Sequence, residues 1–127
     1  MEQQLKYDEW FFQSDYDLET ARYMLQGERY SYCILMCHLS LDKAIIGLYI
    51  KRFNQQPPKI KDLKSYFKKL GIKPEETFLN FMSWLNILGI SALYPVDLKE
   101  MLEKFQREQT NLIYRQTQEI QQWIMQQ

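Results

Sequence analysis

The segment from Tyr30 to Phe53 limits what this chain can fold into more than any other. Tyr30, Ile34, Cys37, Leu41, Ala44 and Leu48 step by fours and threes, and Leu35, Leu39, Ile46 and Ile50 add a second apolar stripe. Steps of three and four place residues on one face of an α-helix. A helix that is apolar on more than one face must be covered on more than one side, so it belongs at the centre of a bundle or in a dimer interface. The helix ends at Asn54-Gln55-Gln56-Pro57-Pro58, where proline cannot continue it.

Other segments supply the cover. Tyr7 to Gln26 carries Phe11, Leu18, Ala21 and Leu25 at helical spacing, with Gly27 as its stop. A shorter helix is expected from about Lys59 to Leu70, with Ile60, Leu63, Phe67 and Leu70 on one stripe and Gly71 at its end. Pro74 suits the first turn of a fourth helix whose apolar face is Phe78, Phe81 or Met82, Leu85 and Leu88. Gly89 to Pro95 reads as a connection. Asp97 reads as an N-cap with Glu100 three residues on, as in a capping box. The fifth helix is expected to run from Leu98 nearly to the C-terminus, with Leu98, Leu102, Phe105, Leu112, Gln116, Ile120 and Trp123 on its stripe. At 1.5 Å per residue it would be roughly 40 Å long. The expectation is one all-α domain over residues 1–127, an up-and-down antiparallel bundle of four long helices and one short one. Trp10, Trp84 and Trp123 are expected as core or interface anchors.

Composition excludes several functions. The formal net charge is zero, which gives no strong nucleic-acid signal. There is no basic-then-apolar leader, and the Tyr30–Ile50 run is interrupted by Ser31, His38, Ser40, Asp42 and Lys43. No membrane span and a cytoplasmic location are therefore expected. Cys33 and Cys37 lie one helical turn apart and read as two core thiols. They make no zinc site, since zinc takes four ligands and the chain has one histidine. No His follows a Glu by three residues, so the di-iron bundle pattern is missing, and four scattered Gly make no phosphate loop. No metal and no cofactor are expected.

Charge is uneven along the chain. Residues 1–28 hold seven acidic and two basic side chains, whereas residues 51–73 hold eight basic ones against Asp62 alone. Lys61, Lys64, Lys68 and Lys69 form the centre of that basic stretch. It reads either as a solvated helix face or as a patch for phosphate or an acidic protein surface. Asp42 and Lys43 interrupt an apolar helix and need partners there. Arg22, Tyr7 or Tyr94 would serve in a polar seam. Alternatively the pair lines a ligand pocket, with Lys43 meeting phosphate and Asp42 orienting it.

The run Tyr30-Ser-Tyr-Cys-Ile-Leu-Met-Cys-His-Leu-Ser-Leu-Asp-Lys-Ala resembles the signature helix of the HEPN family, with Asp42, Lys43 and Ala44 at the family's Glu-Lys-Ala step and His38 on the first of its polar pair. Asp17-Leu18 and Ala21 look like the family's opening helix. Lys61-Asp62-Leu63 after the two prolines is similar to its His-Asp-Leu element, with Lys in place of His. Ala92-Leu93-Tyr94-Pro95 is similar to its Arg-Tyr-Pro element, with Leu in place of Arg, and Ile120-Gln-Gln-Trp123-Ile124 to its closing helix. The resemblance implies a helical bundle, often dimeric, in one of two roles. Some members are metal-independent ribonuclease toxins with an Arg followed four to six residues later by a His. Others lack that pair and are nucleotide- or substrate-binding partners of a small nucleotidyltransferase.

Here eight residues separate Arg29 from His38, the only histidine, so the ribonuclease motif fails. His38 then reads as a hydrogen-bonded core or interface side chain. The expectation is a non-catalytic binding module, a homodimer and nucleotidyltransferase partner, with toxin–antitoxin pairing as an extension. His38, Asp42, Lys43 and Tyr94 are its candidate ligand residues. A ribonuclease toxin with a displaced site, or a purely structural homo-oligomer, are the alternatives.

Overall fold

The computed structural model describes residues 6–58 and 62–127, and every structural statement below concerns these. They form six helices: α1 (Tyr7–Gln26), α2 (Tyr30–Phe53), α3 (Leu63–Leu70), α4 (Glu76–Leu93), α5 (Leu98–Lys104) and α6 (Arg107–Met125). The all-α bundle is as expected. Its short helices number two rather than one, because the expected fifth helix is split.

Helix α2 is the centre and packs against α1, α4 and α6. The first stripe is used inside the bundle, with Ile34, Cys37, Leu41, Ala44 and Leu48 buried; of the second, Leu35 and Ile50 are buried and Leu39 and Ile46 half-buried, while Ile45, on neither stripe, is buried as well. Each fully buried side chain of this size contributes about 1.5–3 kcal/mol through removal from water. By length and apolar content α2 also meets the criterion for a membrane span, against the sequence expectation. With 67% of that apolar window buried in the bundle, it occupies the position of a core helix. Cys33 and Cys37 are free thiols buried in this core.

A polar clasp locks α1, α2 and α6 together. Ser14 Oγ donates to the Ser40 carbonyl (2.7 Å) and Ser40 Oγ returns a bond to the Ser14 carbonyl (2.9 Å). Gln121 Nε2 donates to Ser14 Oγ (3.2 Å) and to Asp15 Oδ1 (2.7 Å). These small side chains let α1 and α2 approach closely while leaving each buried group partnered.

Helix ends follow local chemistry, with four departures. Gly27 does end α1, but the left-handed residue of that turn is Glu28 (φ 62°), whose carboxylate pairs with Arg107 at 3.2 Å. Asn54 (φ 49°) closes α2 and Gly71 (φ 76°) closes α3, both in the left-handed conformation these residues tolerate. Helix α3 starts at Leu63, later than expected, where Asp62 caps it: Asp62 Oδ1 accepts from Lys64 N and Oδ2 from Ser65 Oγ. Lys59, Ile60 and Lys61 lie outside the described residues. Helix α4 starts at Glu76, two residues after Pro74, and runs through Gly89 to Leu93. Gly89 is thus not part of a connection. It is buried inside a helix, where its missing Cβ admits the His38 side chain.

The long closing helix breaks at Phe105–Gln106. Asp97 caps α5 through Glu100 N as expected, but Phe105 and Gln106 leave helical geometry. No Gly or Pro marks the break. Phe105 turns inward, buried beside Trp84 at 6.2 Å between ring centroids. The break shifts the buried stripe of α6 to Thr110, Ile113, Thr117, Ile120 and Ile124, and leaves Leu112 exposed.

Candidate functional site

His38, Asp42 and Lys43 all stand on α2, and its pitch separates them. His38 and Asp42 are four residues apart and share the face toward α4. Lys43 is turned by about 100° from Asp42, toward α1. There its Nζ lies 2.8 Å from Asp17 Oδ2. That oxygen accepts no well-directed hydrogen bond, so the contact is an ion pair by proximity. Asp17, not Arg22, Tyr7 or Tyr94, is therefore the partner of Lys43. Arg22 pairs loosely with Glu19 at 3.6 Å. Tyr94 follows α4 with 82% of its surface exposed, and it lines no cavity with Asp42.

Asp42 borders a cavity of about 670 Å³ between α2, α4 and the Pro57-Pro58 loop. Ile46, Pro57, Pro58, Leu63 and Ile87 give apolar walls. Gln56, Asp62, Ser83 and Asn86 add polar groups. A recess of about 30 Å³ continues past Asp42 and Asn86 to His38. The size falls within the range of small-molecule sites. A second concavity of about 630 Å³ lies at the start of α6, where Arg107 on its rim is already paired with Glu28.

Burial shapes the two ionisable groups of the recess. It pushes the Asp42 carboxyl above the ordinary carboxylate range, against the opposing pull of His38 and Lys43. It also holds the His38 imidazole below its ordinary 6.5, outweighing the attraction of Asp42. For a depressed histidine, the unfolded chain takes up its proton first as pH falls, so stability is present above about 6.5 and lost below it. The raised Asp42 acts in the opposite sense, since the folded state binds that proton first, at lower pH. The unfolding midpoint is therefore expected to fall between pH 7 and pH 5, and the fall should shrink in His38→Gln. Thermal melts at the two pH values check this; an unchanged fall would clear His38.

The basic stretch divides by use. Arg52 donates to the carbonyls of Leu70 and Gln127 (3.1 Å each), tying α3 and the C-terminus to α2. Lys69 Nζ sits over Tyr49 (5.4 Å) and Phe53 (6.0 Å). Lys64 and Lys68 are exposed and form no ion pair among the described residues. Lys61 is outside those residues, so its place in the patch is not described.

Sequence reasoning placed Asp42 but missed the residues opposite it. Ser83 and Asn86 lie three apart on a helix with no charged residue after Glu76. A polar pair at that spacing in an uncharged apolar helix was the available signal. Gln56 joins the site, and Lys43 is drawn away from it to Asp17, through tertiary packing, which spacing does not encode.

The HEPN domain family model matches residues 7–127. The fold is shared with TT1696 from Thermus thermophilus, at 16% identity and TM-score 0.73, over 94% of this chain and 96% of that one. It is shared equally with ST0689, an archaeal HEPN homologue, at 18% identity and TM-score 0.71, over 95% and 96%. No curated protein matches the sequence.

Proposed function

The chain belongs to the HEPN domain family, and from that premise we propose that it is a non-catalytic binding module working with a small nucleotidyltransferase. The observation that carries this reading is the cavity floored by Asp42, a residue of the signature helix, which offers a ligand site without a nuclease pair beside it. Arg29 caps α2 and His38 stands on it nine residues later, about 13.5 Å further along the helix axis. Arg29 is exposed, whereas His38 is part-buried against Gly89. A histidine so placed is poorly reached by a ribose hydroxyl, and general acid–base work needs hydrogen-bond reach.

The exposed Lys64 and Lys68 support an acidic or phosphate-bearing partner surface. A nucleotide shared between this chain and the transferase would place its phosphates there. A homodimer belongs to the same reading. Ile87, Ile90 and Leu93 on α4, with Tyr94 just after it, are exposed and uncharged, and apolar patches of that kind mark association sites. Toxin–antitoxin pairing would be one physiological use of such a complex.

The test is co-purification of the tagged chain with a small nucleotidyltransferase from its own organism. A stable complex is expected, weakened at least tenfold by Lys64→Glu, Lys68→Glu and Lys69→Glu together, with unchanged helicity. Failure to form any complex sinks the reading. Growth arrest on expression, relieved by His38→Ala, would replace it with a nuclease.

A further inference from the structure

We infer that the outward face of α1 is the docking surface for a basic helical segment of a partner protein, which presents arginines to the rings of Phe12, Tyr16 and Tyr23. This goes beyond the transferase reading, which concerns a partner surface of the opposite charge.

At about 100° per residue, Phe12, Tyr16, Glu19 and Tyr23 fall within about 60° of one another on α1, and Glu9 and Asp15 flank them on either side. Other faces of α1 pack on α2 and α6. The three rings stay in water: Phe12 is 66% exposed, Tyr16 65% and Tyr23 57%. Single exposed apolar groups are ordinary, but large ones aligned on one face mark an association surface.

Charge selects the occupant. Each ring has a carboxylate three or four residues away on the same side of the helix: Glu9 and Asp15 beside Phe12, and Glu19 beside Tyr16 and Tyr23. All three carboxylates are on exposed residues. Gln13 binds one oxygen of Glu9 at 3.1 Å and Gln121 one oxygen of Asp15 at 2.7 Å. A carboxylate accepts several hydrogen bonds, so both keep capacity. Arg22, at the edge of this face, already shows the pairing: its guanidinium lies 4.9 Å from the Tyr23 ring centre and 3.6 Å from Glu19. A partner's guanidinium would find the same combination of ring and carboxylate at Tyr16 and Phe12. Phosphate or an acidic surface would be repelled there. Residues 1–5 hold no Lys or Arg, and Pro58 and Asp62, which flank Lys59 and Lys61 in the chain, line the cavity on the α4 side of α2.

Spacing selects the form of the occupant. From Phe12 to Tyr23 is eleven residues, about 16.5 Å of helix. A second helix laid along α1 has the same rise, so arginines spaced by four and then seven residues meet the three rings in register. An extended strand, at about 3.3 Å per residue, drifts out of it.

The experiment titrates the full chain at pH 7 with a capped, alanine-based helical peptide carrying arginines spaced by four and seven residues, followed by amide NMR. Saturable shifts confined to α1 and its immediate neighbours are expected, with a Kd below about 1 mM, weakening at least threefold between about 50 mM and about 300 mM salt. Phe12→Ala and Tyr16→Ala together should weaken binding at least fivefold, and Glu19→Lys alone at least threefold. These side chains are exposed, so the variants keep the core, and their amide spectra report the fold directly. The same peptide with glutamates in place of arginines should not bind. The inference is overturned by absent or unsaturable shifts, by shifts centred away from α1, by equal binding of the glutamate peptide, or by variants that bind like the parent. Self-association of the parent abolished by Phe12→Ala would also overturn it, assigning the face to a second copy of this chain. None of these outcomes depends on whether a transferase complex forms.

Discussion

Phe67→Ala is expected to destabilise the protein by about 3–5 kcal/mol, the usual cost of emptying a buried aromatic site. The residue is 1% exposed, and its ring lies 6.1 Å from those of Tyr66 and Trp123. The effect should be large because α3 depends on tertiary contacts to hold it. At eight residues it is too short to be helical alone. It attaches through Tyr66, Phe67 and Leu70, together with the bond from Tyr66 Oη to the Ile45 carbonyl at 3.1 Å and the one from Arg52 to the Leu70 carbonyl. Tyr66 also stacks on Tyr49 at 5.4 Å. Loss of Phe67 should loosen α3 and with it the Asp62–Leu63 wall of the cavity. Urea denaturation measures the first effect, and hydrogen exchange across residues 63–70 the second. A loss below about 1 kcal/mol would show that α3 is anchored elsewhere.

Gly89→Ala is expected to cost about 1–3 kcal/mol, in opposition to helix propensity. In an open helix the change would be stabilising by about 1 kcal/mol. Here the added Cβ would stand 2.5 Å from both Cβ and Cγ of His38. The Cβ of His38 is fixed to the backbone of α2, so relief requires α2 and α4 to separate rather than a side chain to rotate. Overpacking of that kind typically costs about 1–3 kcal/mol. The corresponding approach at Gly47 is softer, because its near neighbours are the outer ring atoms of Phe11 at 2.6 Å. The same denaturation series tests this, and a Gly89→Ala protein as stable as its parent would refute the close approach. His38→Ala in the same chain should recover part of the loss, since it removes the Cγ and Cδ2 contacts.

How much of this is legible in the sequence depends on the range of the signal. The caps are short-range: Asp97 bonds a backbone N–H three residues away, a pair visible in spacing, whereas Asp62, which caps α3 in the same way, falls inside the helix the spacing predicts from Lys59. The α2 stripes were legible because their period is strong. Gly89 was misread as a break because glycine serves two purposes, and only the position of His38 selects close packing over a stop. The turn at Phe105–Gln106 has no local mark. It arises because Phe105 reaches the core beside Trp84, an interaction 21 residues away in sequence. The cavity was half legible: Asp42 stood out as a charge in an apolar helix, whereas Gln56, Ser83 and Asn86 are ordinary surface types until α4 and the proline loop face it.

Taken by itself, the sequence determined an all-α chain built on one doubly apolar helix, its main punctuation, and a family pattern lacking the Arg-x-His spacing. Those properties live in periodicities and caps within a few residues of one another. Only the tertiary structure decided that Lys43 turns to Asp17, that His38 lies against Gly89, and that Asp42 faces a cavity between α2, α4 and the proline loop. Each depends on which helix face meets which neighbour, and that is set by packing the whole core at once.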